Sequence, residues 1–315
     1  MTGPLVGIDL GGTSIRAAVA TGASGHGATV HRDTPAADGP EAVLDACAEA
    51  AREAGGGTPL VGAAIGIPGP LDAATGVVNA TPHLRGWEGV NARAMLSERL
   101  DCPVAIQNDA SLAGYAEWSR GVGRGSSTFV FITVSTGIGG ALVMDGALQH
   151  GATGTAGEVG HVPAATGGAR CGQGHPGCLE GIASGTAMAR RAQEAIRAGV
   201  ATSLSSVPAD AIDAVEIERA AQAGDALANE IFRDAGRALG RALGGLINLL
   251  NPEIISIGGG LINSGELLFA PLHAGVREIA FAAPLATCRI TKVELGTDAG
   301  LVGAVAWAVK EFGQV

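Results

Sequence analysis

Apolar and polar positions along the chain alternate between two periodicities. Short apolar runs bounded by glycine or proline predict buried strands at 5–9, 15–19, 61–67, 104–106, 128–134, 141–144 and 254–257, with a shorter one around Val77. Between them, apolar residues recur at helical spacing. Positions 43, 44, 47, 50 and 51 follow Asp38 and Pro40, which predicts a helix capped by Asp38 and stopped at Gly55-Gly-Gly57. Further helices are predicted over 91–100, 110–118, 184–197, 225–250 and 300–312, the one over 225–250 ending at Asn251-Pro252. Strands alternating with helices define the α/β class.

The pattern also repeats. The strand pair around Asp9-Leu-Gly-Gly-Thr13 returns a domain's length later around Ser135-Thr-Gly-Ile-Gly-Gly140, which predicts a duplicated domain plan. A first α/β domain is expected over 1–120, joined by the C-terminal helix 300–315, and a second over 121–299. The stretch Gly121-Val-Gly-Arg-Gly-Ser-Ser127 is the expected hinge.

Length supports this reading, since 315 residues can bury two cores of ordinary size. With 47% hydrophobic and 16% charged residues, and 51 glycines scattered through apolar segments, the chain is globular and rich in turns. Its net charge of -10 and the lack of any basic stripe leave nothing to follow a phosphate backbone, so no nucleic-acid partner is expected. No apolar run is long enough for a membrane span, and the amino terminus has no basic region ahead of an apolar core. A soluble cytoplasmic protein is expected. Of five cysteines only Cys171 and Cys178 are close in sequence, and histidines lie nearby, a spacing that favours metal over a disulfide framework.

Three kinds of residue carry candidate chemistry. Asn108-Asp109 falls at a strand-to-helix corner, the edge of an α/β sheet where ligands bind, which makes the pair a candidate sugar anchor and base. The plainer reading is that Asp109 caps the helix. The glycine-tipped hairpins let backbone amides approach phosphate oxygens, and Gly258-Gly-Gly260 adds a third glycine run after a buried strand. Asp9 precedes the first tip without an obvious structural partner, which fits a role in holding Mg²⁺ through water. Neither the Walker pattern nor the dinucleotide fingerprint is present.

Taken together, Asp9-Leu-Gly-Gly-Thr13, Asn108-Asp109, Ser135-Thr-Gly-Ile-Gly-Gly140, Gly157-Glu-Val-Gly-His161, Cys178-Leu-Glu180 and Gly258-Gly-Gly260 resemble, in order and over nearly the whole chain, the ROK family of sugar kinases and repressors. Within it the sequence looks most like the bacterial glucokinases and hexokinases, with N-acetylmannosamine kinases as close relatives. The resemblance implies an actin-like ATPase (ribonuclease H-like) fold with two α/β domains around a central cleft, and a homodimer or homotetramer. It implies an enzyme that phosphorylates a hexose, glucose above others, with ATP and Mg²⁺. Asp109 resembles the family's catalytic base. Gly69, Asn108, Glu158, His161 and Glu180 match its sugar ligands, and Asp9, Gly11, Gly12, Thr13, Ser135, Thr136, Gly137, Gly139, Gly258, Gly259 and Gly260 match its nucleotide-binding positions. Phe131-Ile-Thr-Val-Ser-Thr-Gly and Ile182-Ala-Ser-Gly185 resemble the N-acetylmannosamine kinase branch. A sugar-responsive repressor is the reading from another class, but only eight residues precede Asp9 and the chain is acidic, so no DNA-binding element is expected. A non-catalytic sugar-binding protein of the same fold is a further alternative.

The sequence departs from the family pattern in three places. Thr81-Pro-His83 stands where an Asn usually follows the proline. Ser14 stands where a Lys is common, with Arg16 keeping a positive charge nearby. Structural zinc in the family uses one His and a Cys-x-Cys-Gly-x-x-Gly-Cys run, but here the run is Cys171-Gly-Gln-Gly-His-Pro-Gly-Cys178. Gln173 replaces the middle thiolate, which leaves His161, Cys171 and Cys178; His175 is expected to reach the site only if the loop is rearranged.

Overall fold

A computed structural model describes residues 3–22, 25–81 and 84–313. Pro82 and His83 of the altered Thr81-Pro-His83 segment lie outside the described residues, as do 314 and 315 of the expected C-terminal element. The chain runs through β1 (Leu5–Leu10), β2 (Ser14–Thr21), β3 (Gly25–His26), β4 (Val30–Asp33), α1 (Gly39–Ala54), β5 (Gly62–Ile67), β6 (Leu71–Asp72), β7 (Val77–Val78), α2 (Ala92–Leu100), β8 (Val104–Asn108) and α3 (Asp109–Ser119). It continues with β9 (Phe129–Val134), β10 (Ile138–Met144), β11 (Ala147–Leu148), α4 (Glu180–Ala183), α5 (Gly185–Arg197), α6 (Ala214–Gln222) and α7 (Ala226–Leu250). The last elements are β12 (Ile254–Gly258), α8 (Glu266–Ile279), α9 (Ala282–Thr287), β13 (Arg289–Lys292) and α10 (Ala299–Phe312).

Two compact units result: Met1–Gly125, Ala141–Gly157 and Glu294–Val315 make the first, Ser126–Gly140 and Glu158–Val293 the second. The two principal sheets share one plan. One orders its strands β3-β2-β1-β5-β8 and the other β11-β10-β9-β12-β13, so each places a hairpin partner beside a first strand followed by two later ones. In each, the three strands β1, β5, β8 or β9, β12, β13 run parallel. Parallel strands need both faces covered, which explains why β5 and β12 are buried at every position.

In the first unit α10 supplies one of those covers. Its sequence is apolar almost all round, and it lies so close to β1 that a Cβ on Gly7 would sit 2.2 Å from the Val305 amide. Near its start a fully buried carboxylate, Glu117 of α3, accepts hydrogen bonds from the backbone amides of Leu295 (2.7 Å), Glu294 (3.1 Å) and Val122 (3.4 Å). A carboxylate out of water is stable only when its oxygens are met by donors, and these amides are donors to it.

In the second unit α7 packs on α8 through glycines four apart, Gly236, Gly240 and Gly244. A Cβ on Gly240 would lie 1.9 Å from the Leu272 carbonyl oxygen. Over 266–279 the apolar residues Leu268, Leu272 and Val276 keep helical spacing, while Pro271 and Gly275 disfavour a helix by propensity. Gly275 is where α8 touches the α7 backbone, so packing overrides propensity there. Asp38 does precede α1, but its side chain makes no capping bond; the helix starts at Gly39 with Pro40 in its first turn.

Candidate active site

In the first unit the carboxyl ends of β1, β5 and β8 open on one edge. Asp9 of β1 is paired with Gly66 of β5, and Ile67 with Asn108 of β8, so Asp9, the Pro68-Gly69-Pro70 turn and Asn108-Asp109 emerge side by side. Gly69 has φ +93, which favours glycine, and its carbonyl accepts a bond from Asn108 Nδ2 at 3.1 Å. Asn108 Oδ1 accepts from the Ser111 amide at 3.0 Å, so the cap of α3 is Asn108 and not Asp109. That corrects the capping reading of Asp109. Asp109 is the first helical residue, with Oδ1 receiving the Ala110 amide at 2.8 Å.

Asp9 has a structural partner, contrary to the expectation from sequence. Arg16 lies opposite it in the β1–β2 register, and its Nη2 and Nε reach Asp9 Oδ2 at 2.6 and 3.0 Å. The same guanidinium donates to the Thr297 carbonyl at 2.8 Å and to Asp298 Oδ1 at 3.4 Å. The charge near Ser14 is therefore engaged by two carboxylates and a carbonyl. Alternation in a strand puts residues 14 and 16 on one face, but nothing local in the sequence marks 16 as the partner of 9. Gly11 donates its amide to Ser14 within the turn, and its carbonyl receives the Thr34 hydroxyl, both at 2.8 Å; Gly12 is half-buried and Thr13 is exposed at the tip.

The second unit gathers the remaining residues. Ser135 closes its turn with a bond from its amide to the Gly137 carbonyl (2.9 Å), and its carbonyl accepts from Gly185 at the start of α5 (2.8 Å). Thr136 accepts likewise from Thr186 at 3.3 Å, and Gly139 continues the turn into β10. Gly258 ends β12; Gly259, at φ +87, lies against the end of β9, where a Cβ would meet the Val134 carbonyl at 2.2 Å. Gly260 faces Ser135. The second hairpin turn and the third glycine run are thus neighbours.

Glu158, His161 and Glu180 also converge. His161 Nε2 lies 3.8 Å from Glu158 Oε2. Burial pushes the Glu158 carboxyl above its ordinary value, His161 works against that shift, and the charge of Glu180 adds to it. Glu180 begins α4 and reaches two backbone amides, Gly172 through Oε1 at 3.1 Å and Ile138 through Oε2 at 3.3 Å.

Beside them, His161, Cys171, His175 and Cys178 each offer a ligand atom, and all four atoms lie within 4.8 Å of one another. A tetrahedral zinc site has ligand separations of about 3.3–3.8 Å, so a small contraction would complete one. His161 Nδ1 is buried without a hydrogen-bond partner, as a lone pair aimed at a cation would be. In the metal-free chain burial raises the Cys178 thiol, and Cys171 and Glu180 raise it further. The expectation that His175 needs a rearranged loop is corrected. Cys171 accepts the Gly174 amide (2.9 Å) and donates its own to the His175 carbonyl (3.0 Å), a tight turn that, though His175 is exposed as Gln173 is, already brings a His175 ring nitrogen beside the other three ligand atoms.

The fold defines a class, the two-domain α/β proteins of the actin-like ATPase fold. The model of the ROK family matches residues 5–311, and this chain belongs to that family. It is 35% identical to a glucokinase of Thermotoga maritima over 98% of both chains. Among solved structures it resembles the ROK hexokinase of Thermus thermophilus, at TM-score 0.85 and 34% identity, over 99% of this chain and 100% of that one. It also resembles a ROK glucokinase of Streptomyces griseus in complex with glucose and AMPPNP, at TM-score 0.80 and 31% identity, over 98% and 100%.

Proposed function

We propose that this chain is an ATP-dependent hexose kinase that converts glucose to glucose 6-phosphate. The observation that carries the reading is the edge of the first sheet, where Asp109 stands beside Gly69 and Asn108 at the ends of adjacent parallel strands. The likeness to a glucokinase complexed with glucose and AMPPNP supports it. Asp109 takes the proton of the 6-hydroxyl as that oxygen attacks the γ-phosphorus, and the bond from phosphorus to the ADP oxygen breaks. Gly69, Asn108, Glu158, His161 and Glu180 hold the sugar hydroxyls.

The glycine turns 11–13 and 135–140 and the run 258–260 receive the phosphates. Bound Mg²⁺ would neutralise phosphate charge, and Asp9, steadied by Arg16, would hold its water. Zinc would be held by His161, Cys171, His175 and Cys178 as a structural ion. His161 then serves twice, with Nδ1 toward the metal and Nε2 toward Glu158 and the sugar.

We place the enzyme in the cytoplasm, in keeping with five free thiols and with no helix among the described residues long and apolar enough to cross a membrane. A homodimer or homotetramer is part of the proposal, and light scattering of the purified protein tests it. N-acetylmannosamine is the second substrate reading, favoured by the segments 131–137 and 182–185. A coupled assay crossing glucose, mannose, fructose and N-acetylmannosamine with ATP and polyphosphate separates the readings. Glucose with ATP is expected to give the highest kcat/KM; no turnover with any pair would overturn the proposal.

A further inference from the structure

Glu180 holds two loops that have different duties. Its Oε1 accepts from the amide of Gly172, next to the metal-site residue Cys171, and its Oε2 accepts from the amide of Ile138 in the turn 135–140. The approach to that turn is close: a Cβ on Gly137 would lie 2.9 Å from Oε2, which only glycine avoids without a shift of the carboxylate. Both bonds are charge-assisted, and both acceptors belong to one rigid, planar group on the first residue of α4. Displacing one loop therefore pulls on the other. On the metal side the loop is tied down further, because Arg190 donates to the Arg170 carbonyl (3.0 Å) and to the Gly181 carbonyl (2.8 Å), fixing the segment on both sides of Cys171 and Cys178.

We propose that Glu180 is a positioning residue for the nucleotide as well as a sugar ligand, transmitting the set of the metal loop to the phosphate-binding turn. The inference rests on the kinase and zinc readings above. Metal at His161, Cys171, His175 and Cys178 fixes the direction of the Gly172 amide; that amide fixes Glu180; Glu180 fixes Ile138 and with it the amides of the turn. Removing the metal weakens nucleotide binding even when no sugar is present. A residue whose only duty is to hold sugar hydroxyls has no such effect.

The test measures AMPPNP affinity by calorimetry in the absence of sugar, for wild type and Glu180→Gln, each with zinc quantified and each before and after stripping with chelator. Gln keeps the size but loses the charge and one acceptor. Zinc-loaded Glu180→Gln is expected to bind AMPPNP about tenfold more weakly than the loaded wild type. Stripping the wild type is expected to cause a similar loss, and stripping Glu180→Gln little more, because both changes cut one path. Hydrogen exchange at 135–140 should rise in the stripped wild type and in the loaded variant alike.

Equal AMPPNP affinity in loaded wild type and loaded Glu180→Gln overturns the coupling and leaves the kinase and zinc readings intact; so do fully additive losses. A protein that takes up no zinc overturns the metal reading and the coupling with it. Should the stripped wild type unfold, the loaded pair still decides the role of Glu180.

Discussion

Asp109 and Asn108 divide the work of one corner. Because Asn108 caps α3 and ties Gly69 to it, Asp109→Asn leaves the cap in place and should keep the folding midpoint close to wild type. The base is lost, so kcat should fall by about 10²–10⁴ while sugar affinity changes far less. Near-normal turnover in a folded Asp109→Asn protein would remove Asp109 from the mechanism. The corner itself was readable from sequence, since an apolar strand followed by helical spacing places residues 108 and 109 without any tertiary knowledge. Which of the two caps was not readable, because Asn and Asp cap equally well and only the direction of each side chain decides. Arg16 was illegible as the partner of Asp9 for a similar reason: strand register, not residue type, sets the pair.

Among the elements, the metal loop shows how spacing in sequence misleads. Reading positions 171, 173 and 178 as ligands makes Gln173 a defect, whereas the turn at 171–175 brings in His175. His175→Ala should therefore lose stoichiometric zinc on dialysis against chelator, and Gln173→Cys should leave occupancy unchanged. Elemental analysis reads both; zinc retained in His175→Ala would return the fourth ligand to some other residue.

At the start of α7 the position of the helix was legible, but the cap that Asp225 makes there was not. Burial would raise the Asp225 carboxyl, but it accepts from the amides of Ala228 and Ser203 and from the hydroxyls of Thr202 and Ser203, which together lower it from 3.8 to about 2. A carboxyl lowered on folding adds stability above its unfolded value and loses it as pH falls through the folded one. Asp225→Ala should cost about 1–2 kcal/mol at neutral pH. That gap should close as pH falls from about 4 to about 2, as urea midpoints across this range would report. A gap that stays constant with pH would deny the carboxylate its part.

For the whole molecule, the duplicated plan was visible in the two glycine hairpins because turn chemistry is local. The division into units was harder to read, since segment 141–157 clusters with the first unit although it follows β9 and the start of β10 in the second. Such membership depends on packing between residues far apart in the chain, which periodicity does not report.

The place of α10 in that division bears on how the protein is made. A chain cut after Val293 keeps every residue of the second unit, yet the first lacks the helix that lies on β1 and the two amides that meet Glu117. The first unit, although it holds the amino terminus, therefore cannot close before the segment from Glu294 is made, against the usual amino-terminal-first order of vectorial synthesis. A truncated protein ending at 293 should resist protease over 158–293 and be cut within 1–125, and only the chain that includes the segment from Glu294 onward should protect both. Until then the face of β1 around Gly7 is bare, and it is this surface that a chaperone travelling with the ribosome would meet.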